Sequence, residues 1–195
     1  MPHTSILEIG AGEGSILNRL SELSFGEKLY ALEISSSGVV AINSKKISRL
    51  TDCLIFDGYD IPYSDQKFDL AILSHVIEHV EHPRRLLYEA VRVAKYVFIE
   101  VPLEDTLRLK KDFVFDKVGH INFYSPITIR RLIQTCNLEV LSQTVTNPSK
   151  AVHKYRLGRK GLPNYYIREY LLKALPGLAI RIFTYHSSLI CQAKQ

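Results

Sequence analysis

A short apolar run that leads directly into a glycine-rich turn constrains this chain more than any other feature. Residues 5–14 read Ser-Ile-Leu-Glu-Ile-Gly-Ala-Gly-Glu-Gly, and residues 15–23 (SILNRLSEL) have the pattern of a helix. Glycine lacks a Cβ, so the turn can be tight and its backbone can approach a ligand closely. The helix that follows offers unpaired N–H groups in its first turn. A buried strand, a glycine turn and a helix in this order predict a nucleotide-type binding site.

The glycine spacing departs from the dinucleotide fingerprint. That fingerprint is G-x-G-x-x-G/A. Here Gly10, Gly12 and Gly14 form G-x-G-x-G, and Ser15 stands where the fingerprint has Gly or Ala. The turn alone is weak support for a ligand site, and an ordinary structural turn is the alternative. Other features of the sequence must distinguish a ligand site from an ordinary turn.

Strand and helix patterns alternate after the glycine turn. Predicted strands at 28–34, 53–57, 68–73 and 95–101 (closed by Pro102) are followed by two more at 138–145 and 187–193, and helices are predicted at 35–48, 82–94 and 126–136. This alternation predicts an α/β fold with a mostly parallel sheet and helices on both faces. Ligands of such folds bind beyond the carboxyl ends of the strands. We therefore expect Glu33, Asp57, Ser74 and His75 to lie beside the glycine turn.

Length and composition favour a single globular domain over residues 1–195. No apolar run approaches the roughly 18 residues of a membrane span, and the N-terminus lacks the pattern of a signal peptide. The three cysteines, Cys53, Cys136 and Cys191, are scattered and lack metal-ligand spacing. We expect them to be reduced, in a cytoplasmic protein.

The basic character of the chain is confined to one segment, residues 149–181. This segment contains eight Lys or Arg and one Glu, a net charge of +7, so the rest of the chain sums to −2 within the total of +5. We expect a helical insertion between the last two strands. It is either a solvated excursion or a contact for an anionic substrate or membrane surface, and nucleic acid is not expected. The stripe typical of an amphipathic helix comprises Ile167, Tyr170, Leu171, Ala174 and Leu175.

Taken together, four motifs resemble those of the class I S-adenosylmethionine-dependent methyltransferases, in the small-molecule branch typified by ubiquinone-biosynthesis O-methyltransferases. They are LEIGAGEG, ALEIS, FDGYDIPYSDQKFDLAILSHVIEHVEHP and GHINFYSPITIRRLIQ. The resemblance covers about residues 5–145. It implies a Rossmann-like sheet of seven strands with the last strand antiparallel, and S-adenosylmethionine as the cofactor.

The resemblance assigns cofactor-binding roles that fit the chemistry of the residues. Glu33 can accept hydrogen bonds from both ribose hydroxyls, and Asp57 from the adenine amine. Ile34 and Ile61 are candidates for apolar contact with the adenine. The remaining predicted contacts are Gly10, Ala11 and Gly12 on the methionine part, Gly58 beside the ring, and Leu73 and Ser74 from the fourth strand.

Three histidines are candidates for catalysis: His75, His79 and His120. Histidine titrates near neutral pH, so it can remove the proton of an acceptor hydroxyl, with Tyr124 as an orienting hydroxyl. For His79, the alternative to a catalytic role is a structural hydrogen bond. A metal site built from His75, His79 and His82 is conceivable on spacing, but we expect no metal.

The expected function is methyl transfer to an oxygen or carbon of a small molecule. The alternative is an accessory or regulatory protein that binds S-adenosylmethionine without transfer, because the helices that usually precede the first strand in this family are missing here. A nucleotide-sugar or NAD(P) oxidoreductase is disfavoured by the glycine spacing. We expect residues 149–181 to replace the missing lid, and residues 103–119 to form a loop or short helix over the site.

Overall fold

The computed structural model describes residues 3–112 and 118–194. Seven strands occur in this part of the chain: β1 (Ser5–Ile9), β2 (Lys28–Glu33), β3 (Leu50–Ile55), β4 (Phe68–Ser74), β5 (Ala94–Leu103), β6 (Leu138–Thr146) and β7 (Tyr185–Ala193). The α-helices are α1 (Ser15–Glu22), α2 (Ser36–Ser44), α3 (Pro83–Val93), α4 (Pro126–Gln134), α5 (Lys150–Leu157), α6 (Gly161–Ala174) and α7 (Pro176–Ile182). Within these ranges, no helix combines the length and apolarity needed to cross a bilayer.

The strands form one seven-stranded sheet in the order β3-β2-β1-β4-β5-β7-β6. Neighbours from β3 to β5 are parallel, and β7 runs antiparallel to both β5 and β6. The predicted Rossmann-like fold with an antiparallel last strand is therefore confirmed. The strand order reverses direction between β1 and β4, which is where folds of this type bind ligands.

Apolar side chains cover both faces of the central strands. On one face α3 buries Leu86, Leu87, Ala90 and Val93 against β4 and β5. On the other, Leu17 of α1 and Ile42 of α2 belong to a second buried cluster. This two-sided burial explains why the parallel strands read as continuous apolar runs in the sequence.

Several predicted boundaries need correction. Strand β3 ends at Ile55, so Asp57 lies in the loop beyond it, and α2 ends at Ser44 rather than Ser48. Strand β5 does not stop at Pro102 but continues to Leu103. Proline is tolerated there because β4 ends opposite Glu100, so the last residues of β5 pair only with β7.

The basic segment folds as α5, α6 and α7 between two strands that pair directly, since Thr146 lies opposite His186. Leu171 packs near Leu103, Ala179 and Tyr185, in a small apolar cluster at the carboxyl end of β5. The rest of the predicted stripe does not pack in the same way. Its solvent-exposed fractions are 55% for Ile167, 71% for Tyr170 and 53% for Leu175.

The loop after β5 runs beside this segment, and Leu107 donates its backbone N–H to the carbonyl of Arg181 at 2.8 Å. The prediction of a loop or short helix over the site falls partly on residues 113–117, which lie outside the described residues.

Candidate active site

The glycine turn after β1 adopts the left-handed backbone conformation at three positions. The φ angles are 72° at Gly10, 55° at Gly12 and 73° at Gly14. A Cβ on Gly10 would lie 2.7 Å from Cγ2 of Val76, so glycine there permits close packing against the turn that follows β4. A Cβ on Gly12 would meet no atom within 4 Å. The backbone at Gly12 therefore faces open space in which a ligand can approach it.

Glu33 connects the glycine turn to the end of β2. Its Oε2 accepts the backbone N–H of Gly12 at 2.8 Å, and its Oε1 accepts the backbone N–H (3.0 Å) and the hydroxyl (2.9 Å) of Ser35. A carboxylate offers about four lone-pair sites. These three bonds leave Glu33 one acceptor position for a ligand hydroxyl. The residue is buried, with 7% of its surface exposed.

Asp57 and Gly58 lie at the neighbouring strand end. Asp57 is exposed, and its Oδ1 accepts the backbone N–H groups of Tyr59 and Asp60, which hold the pKa of this carboxyl below its usual range. A Cβ on Gly58 would come within 3.7 Å of Cγ2 of Ile34. Ile34 is 65% exposed, so an apolar side chain stands open beside the glycine and the acid.

The other predicted cofactor residues differ in accessibility. Ser74 is partly exposed at the end of β4, whereas Ala11 and Ile61 are buried and Leu73 has no exposed surface. Leu73 belongs to the core and offers no accessible surface for the cofactor contact predicted for it. Ala11 donates its backbone N–H to the carbonyl of Leu32 at 3.0 Å, which fixes the turn against β2.

His75 has a left-handed backbone, with φ at 56°. Its Nδ1 lies 3.1 Å from Oε1 of Glu78 and its Nε2 lies 3.4 Å from Oε1 of Glu100. Hydrogen bonding to these two carboxylates raises the pKa of His75 to about 9. The imidazole is therefore a cation at neutral pH. Non-glycine residues in this conformation are uncommon and concentrate at functional sites.

His79 and His120 meet side by side, with ring centroids 4.7 Å apart. Nδ1 of His79 lies 3.2 Å from the carbonyl oxygen of Gly119, and Nδ1 of His120 lies 2.6 Å from Oε2 of Glu104. Tyr124 is buried and donates its hydroxyl to a backbone carbonyl, that of Ile77, at 3.3 Å. All three predicted catalytic histidines thus lie around the turn that follows β4.

Three further residues of the site were not singled out from the sequence: Glu8, Glu100 and His186. Burial raises the pKa of Glu8 to about 8, and Oε2 of this carboxyl has no hydrogen-bond partner among the described residues. The sequence did contain a signal for Glu8, because an acidic residue stands there inside an otherwise apolar strand. Hydrogen bonding to His186 and His75, together with the Ser188 hydroxyl, holds the pKa of the Glu100 carboxyl far below its usual range. His186 carries no sequence signal.

A cavity of about 350 Å³ opens between the basic segment and the start of β7. Its lining contains no carboxylate and includes five basic side chains, Arg108, His153, Arg156, Arg168 and His186. Arg168 is partly buried, and its Nε has no hydrogen-bond partner among the described residues. Burial lowers the pKa of this guanidinium, with the charges of Arg108 and Arg156 adding to the effect. The cavity is suited to an anion.

Comparison with known proteins places this geometry in a family. A family model described as a methyltransferase domain matches residues 2–143. The ubiquinone biosynthesis O-methyltransferase of Candida albicans is 28% identical over 93 residues, which are 45% of this chain and 28% of the relative. An uncharacterized protein of Methanocaldococcus jannaschii is 32% identical over 57 residues, which are 27% of this chain and 28% of the relative. The chain thus matches about a quarter of each curated relative's length.

Solved structures share the fold across nearly the whole chain. A SAM-dependent methyltransferase from Aquifex aeolicus has a TM-score of 0.61 at 15% identity, over 97% of this chain and 82% of that one. The phosphoethanolamine N-methyltransferase 2 of Haemonchus contortus has a TM-score of 0.71 at 13% identity, over 98% and 49%. The [4+2]-cyclase SpnF has a TM-score of 0.69 at 15% identity, over 98% and 75%. The family model, together with this fold, shows that the chain belongs to the class I S-adenosylmethionine-dependent methyltransferases.

Proposed function

We propose that this chain binds S-adenosylmethionine at the glycine turn and transfers its methyl group to an oxygen or carbon of a small molecule. When bound, the cofactor supplies a methyl group on a positively charged sulfur, which activates it for displacement. The observation that carries the proposal is the pairing of Gly12 with Glu33 at 2.8 Å. It places a carboxylate beside a backbone that faces open space.

The residues at the sheet edge fit the parts of this cofactor. Gly10, Ala11 and Gly12 present backbone to the amino-acid part, and Glu33 retains an acceptor position for a ribose hydroxyl. Ile34, Asp57 and Gly58 offer an apolar contact, a hydrogen-bond acceptor and space for the adenine ring. Ser74 lines the site from β4, with Leu73 behind it.

The three histidines differ in what they can do with a proton. His75 already holds one at neutral pH, between Glu78 and Glu100, so it suits orientation and charge balance better than proton removal. His79 and His120 each bond a protein oxygen through Nδ1. Nε2 of each is then the lone-pair nitrogen, and it can receive a proton from an acceptor hydroxyl.

The basic cavity supports an anionic acceptor, phosphorylated or carboxylated. Its volume of about 350 Å³ suits a small molecule. His186 belongs both to the cavity lining and to the cluster with Glu100 and His75. An anion in the cavity would therefore lie next to the catalytic edge of the sheet, with residues 149–181 as the lid over it.

The outer face of the basic segment favours a second contact, with an anionic membrane surface. Tyr155 is 92% exposed and Tyr170 is 71% exposed, beside lysines and arginines. Aromatic and apolar groups among basic residues are typical of helices that lie at a lipid interface. Such a contact would bring the protein, which we propose to be cytoplasmic, to an anionic acceptor held at that surface.

The alternative function is cofactor binding without methyl transfer. It is supported by the similarity of the fold to SpnF, which is a [4+2]-cyclase by name. This fold can therefore serve reactions other than transfer.

Calorimetry with S-adenosylmethionine, S-adenosylhomocysteine and NAD tests the cofactor assignment. We expect binding of the first two and not of NAD. Transfer from radiolabelled S-adenosylmethionine to a panel of phosphorylated, carboxylated and phenolic acceptors then separates the enzyme from the accessory protein. Binding with no transfer to any of them favours the accessory role, whereas no binding at all refutes both.

A further inference from the structure

The adjacent residues Glu78 and His79, in the turn after β4, converge with His120, which lies about forty residues later in the chain. Each offers one metal-ligating atom, and these atoms all lie within 4.8 Å of one another. Two imidazole nitrogens and a carboxylate oxygen form a ligand set that divalent transition metals accept.

Each of the two histidines contacts a protein oxygen through Nδ1, which leaves its Nε2 available. Nδ1 of His120 bonds the carboxylate of Glu104 at 2.6 Å, and Nδ1 of His79 bonds the carbonyl of Gly119 at 3.2 Å. Metal-ligating histidines almost always donate their second ring N–H to a carboxylate or a backbone carbonyl, which fixes the tautomer and leaves the other nitrogen for the metal. Both rings here follow that pattern.

Glu78 supplies an independent observation that points to a ligand. Its side chain has no exposed surface. One oxygen, Oε1, lies 3.1 Å from Nδ1 of His75, while the other, Oε2, has no hydrogen-bond partner among the described residues. A buried carboxylate oxygen without a partner is unfavourable. A cation bound next to it would remove that penalty.

The backbone around these side chains is held in place before any ion arrives. Ile121 and Asn122 donate their N–H groups to the carbonyl of Glu78 at 2.9 and 3.0 Å. The side chain of Asn122 donates to the carbonyls of Ile77 and Val80 at 3.1 and 2.7 Å. These hydrogen bonds hold the segment that contains His120 against the turn that contains Glu78.

We propose that Glu78, His79 and His120 bind a divalent transition-metal ion of the zinc class. Three protein ligands leave a coordination position open, as in catalytic rather than structural sites. The open position would take an oxygen atom of the methyl acceptor, and this role rests on the proposed function. His79 and His120 would then act as ligands, and the ion would lower the pKa of the bound hydroxyl.

A second group, His75, Glu100 and His186, has the same composition. It is the weaker candidate because its carboxylate is already satisfied. Glu100 accepts from Ser188 at 2.9 Å and faces both histidines at 3.4 and 3.6 Å. Within the described residues, no buried oxygen of this group lacks a partner.

Titration of the metal-free full chain with Co²⁺, followed by its visible absorption and by competition with Zn²⁺, tests the proposal. We expect one ion per chain in the wild type. His79→Ala and His120→Ala should each weaken binding at least tenfold, and Glu104→Gln about tenfold through its outer bond. Glu78→Gln should also weaken binding at least tenfold while its thermal unfolding remains cooperative, and wild-type affinity in this variant would remove Glu78 from the site.

The matched controls are His82→Ala, which removes an exposed histidine of the same loop, and His186→Ala. Both should bind Co²⁺ as the wild type does. Absence of stoichiometric binding, or loss of binding in His186→Ala but not in His120→Ala, would overturn the proposal. S-adenosylhomocysteine calorimetry on the same samples separates the two proposals. Cofactor binding without metal refutes the metal site alone, and metal binding without cofactor refutes the proposed function alone.

Discussion

The backbone N–H of Gly12 donates to Oε2 of Glu33 at 2.8 Å, and this bond joins the turn after β1 to the end of β2. One buried carboxylate therefore shapes the glycine turn at Gly12, where the backbone faces open space. At the proposed cofactor site, this contact would couple cofactor affinity to local geometry, so a substitution at either residue is expected to alter both.

Replacing Glu33 with Gln should weaken S-adenosylhomocysteine binding about tenfold or more, because an uncharged amide is a weaker acceptor for a ribose hydroxyl than a carboxylate, and the bonds to Gly12 and Ser35 also lose strength. Calorimetry measures the change. Glu139→Gln, at an exposed position of β6, is the matched control and should bind normally. Unchanged affinity in Glu33→Gln would contradict the assignment of the ribose-binding acid.

Gly10→Ala and Gly12→Ala should behave differently. Each substitution places a residue with a Cβ in the left-handed backbone conformation, which costs roughly 1–2 kcal/mol. Only at Gly10 would the added Cβ also clash with a neighbour, lying 2.7 Å from Cγ2 of Val76. We expect the larger drop in the free energy of unfolding for Gly10→Ala. Gly12→Ala should remain well folded but bind cofactor poorly, because its methyl group projects into open space. Equal destabilisation of both would contradict this reading of the turn.

Stability should fall as the pH rises towards alkaline values, because of Glu8. Its pKa is raised from 4.5 to about 8 in the folded chain, so between these values the folded state binds the proton that the unfolded state releases. Unfolding then becomes easier with rising pH, by at most about 1.4 kcal/mol per pH unit. Thermal melts should show a weaker decline between pH 5 and 9 for Glu8→Gln than for the wild type.

Arg156→Gln should reduce the affinity of the basic cavity for anions. Inorganic phosphate is expected to raise the melting temperature of the wild type by mass action, and to do so less in this variant. Arg159→Gln is the matched control, since Arg159 lies in the same basic segment but outside the cavity lining. A loss of the phosphate effect in both variants would indicate general charge screening instead of a site.

Replacing residues 148–183 with a short glycine-containing turn should leave the sheet intact, because Thr146 and His186 already lie opposite each other. We expect S-adenosylhomocysteine affinity to stay within a few-fold of the wild type and methyl transfer to be lost. Turnover that survives the replacement would show that the basic segment is not the lid.

The sequence predicted the fold well because local patterns determined it. Apolar runs, glycines and caps, such as the capping box of Ser125 with Thr128, act over a few residues. Boundaries set by pairing were missed: the continuation of β5 past Pro102 depends on where β4 ends.

The site was only partly predictable for the same reason. Glu33 ends β2 and Asp57 lies just beyond β3, so their positions at the sheet edge could be predicted from the order of the strands. The convergence of Glu78 with His120, and of Glu100 with His186, depends on tertiary contacts between residues 42 and 86 positions apart. His75 was visible as the residue after β4. Its charge at neutral pH was not, because that depends on two carboxylates reaching it from different elements.

The direct pairing of Thr146 with His186 has a consequence for how proteins of this architecture diversify. A hairpin whose two strands already meet accepts insertions at its tip without disturbing the hydrogen bonds of the sheet. Residues 149–181 can therefore change in length, charge and surface chemistry while β1 to β5 and their glycine turn stay as they are. If this segment is the proposed lid over the acceptor, the choice of acceptor can change through residues 149–181 while the proposed cofactor site stays the same.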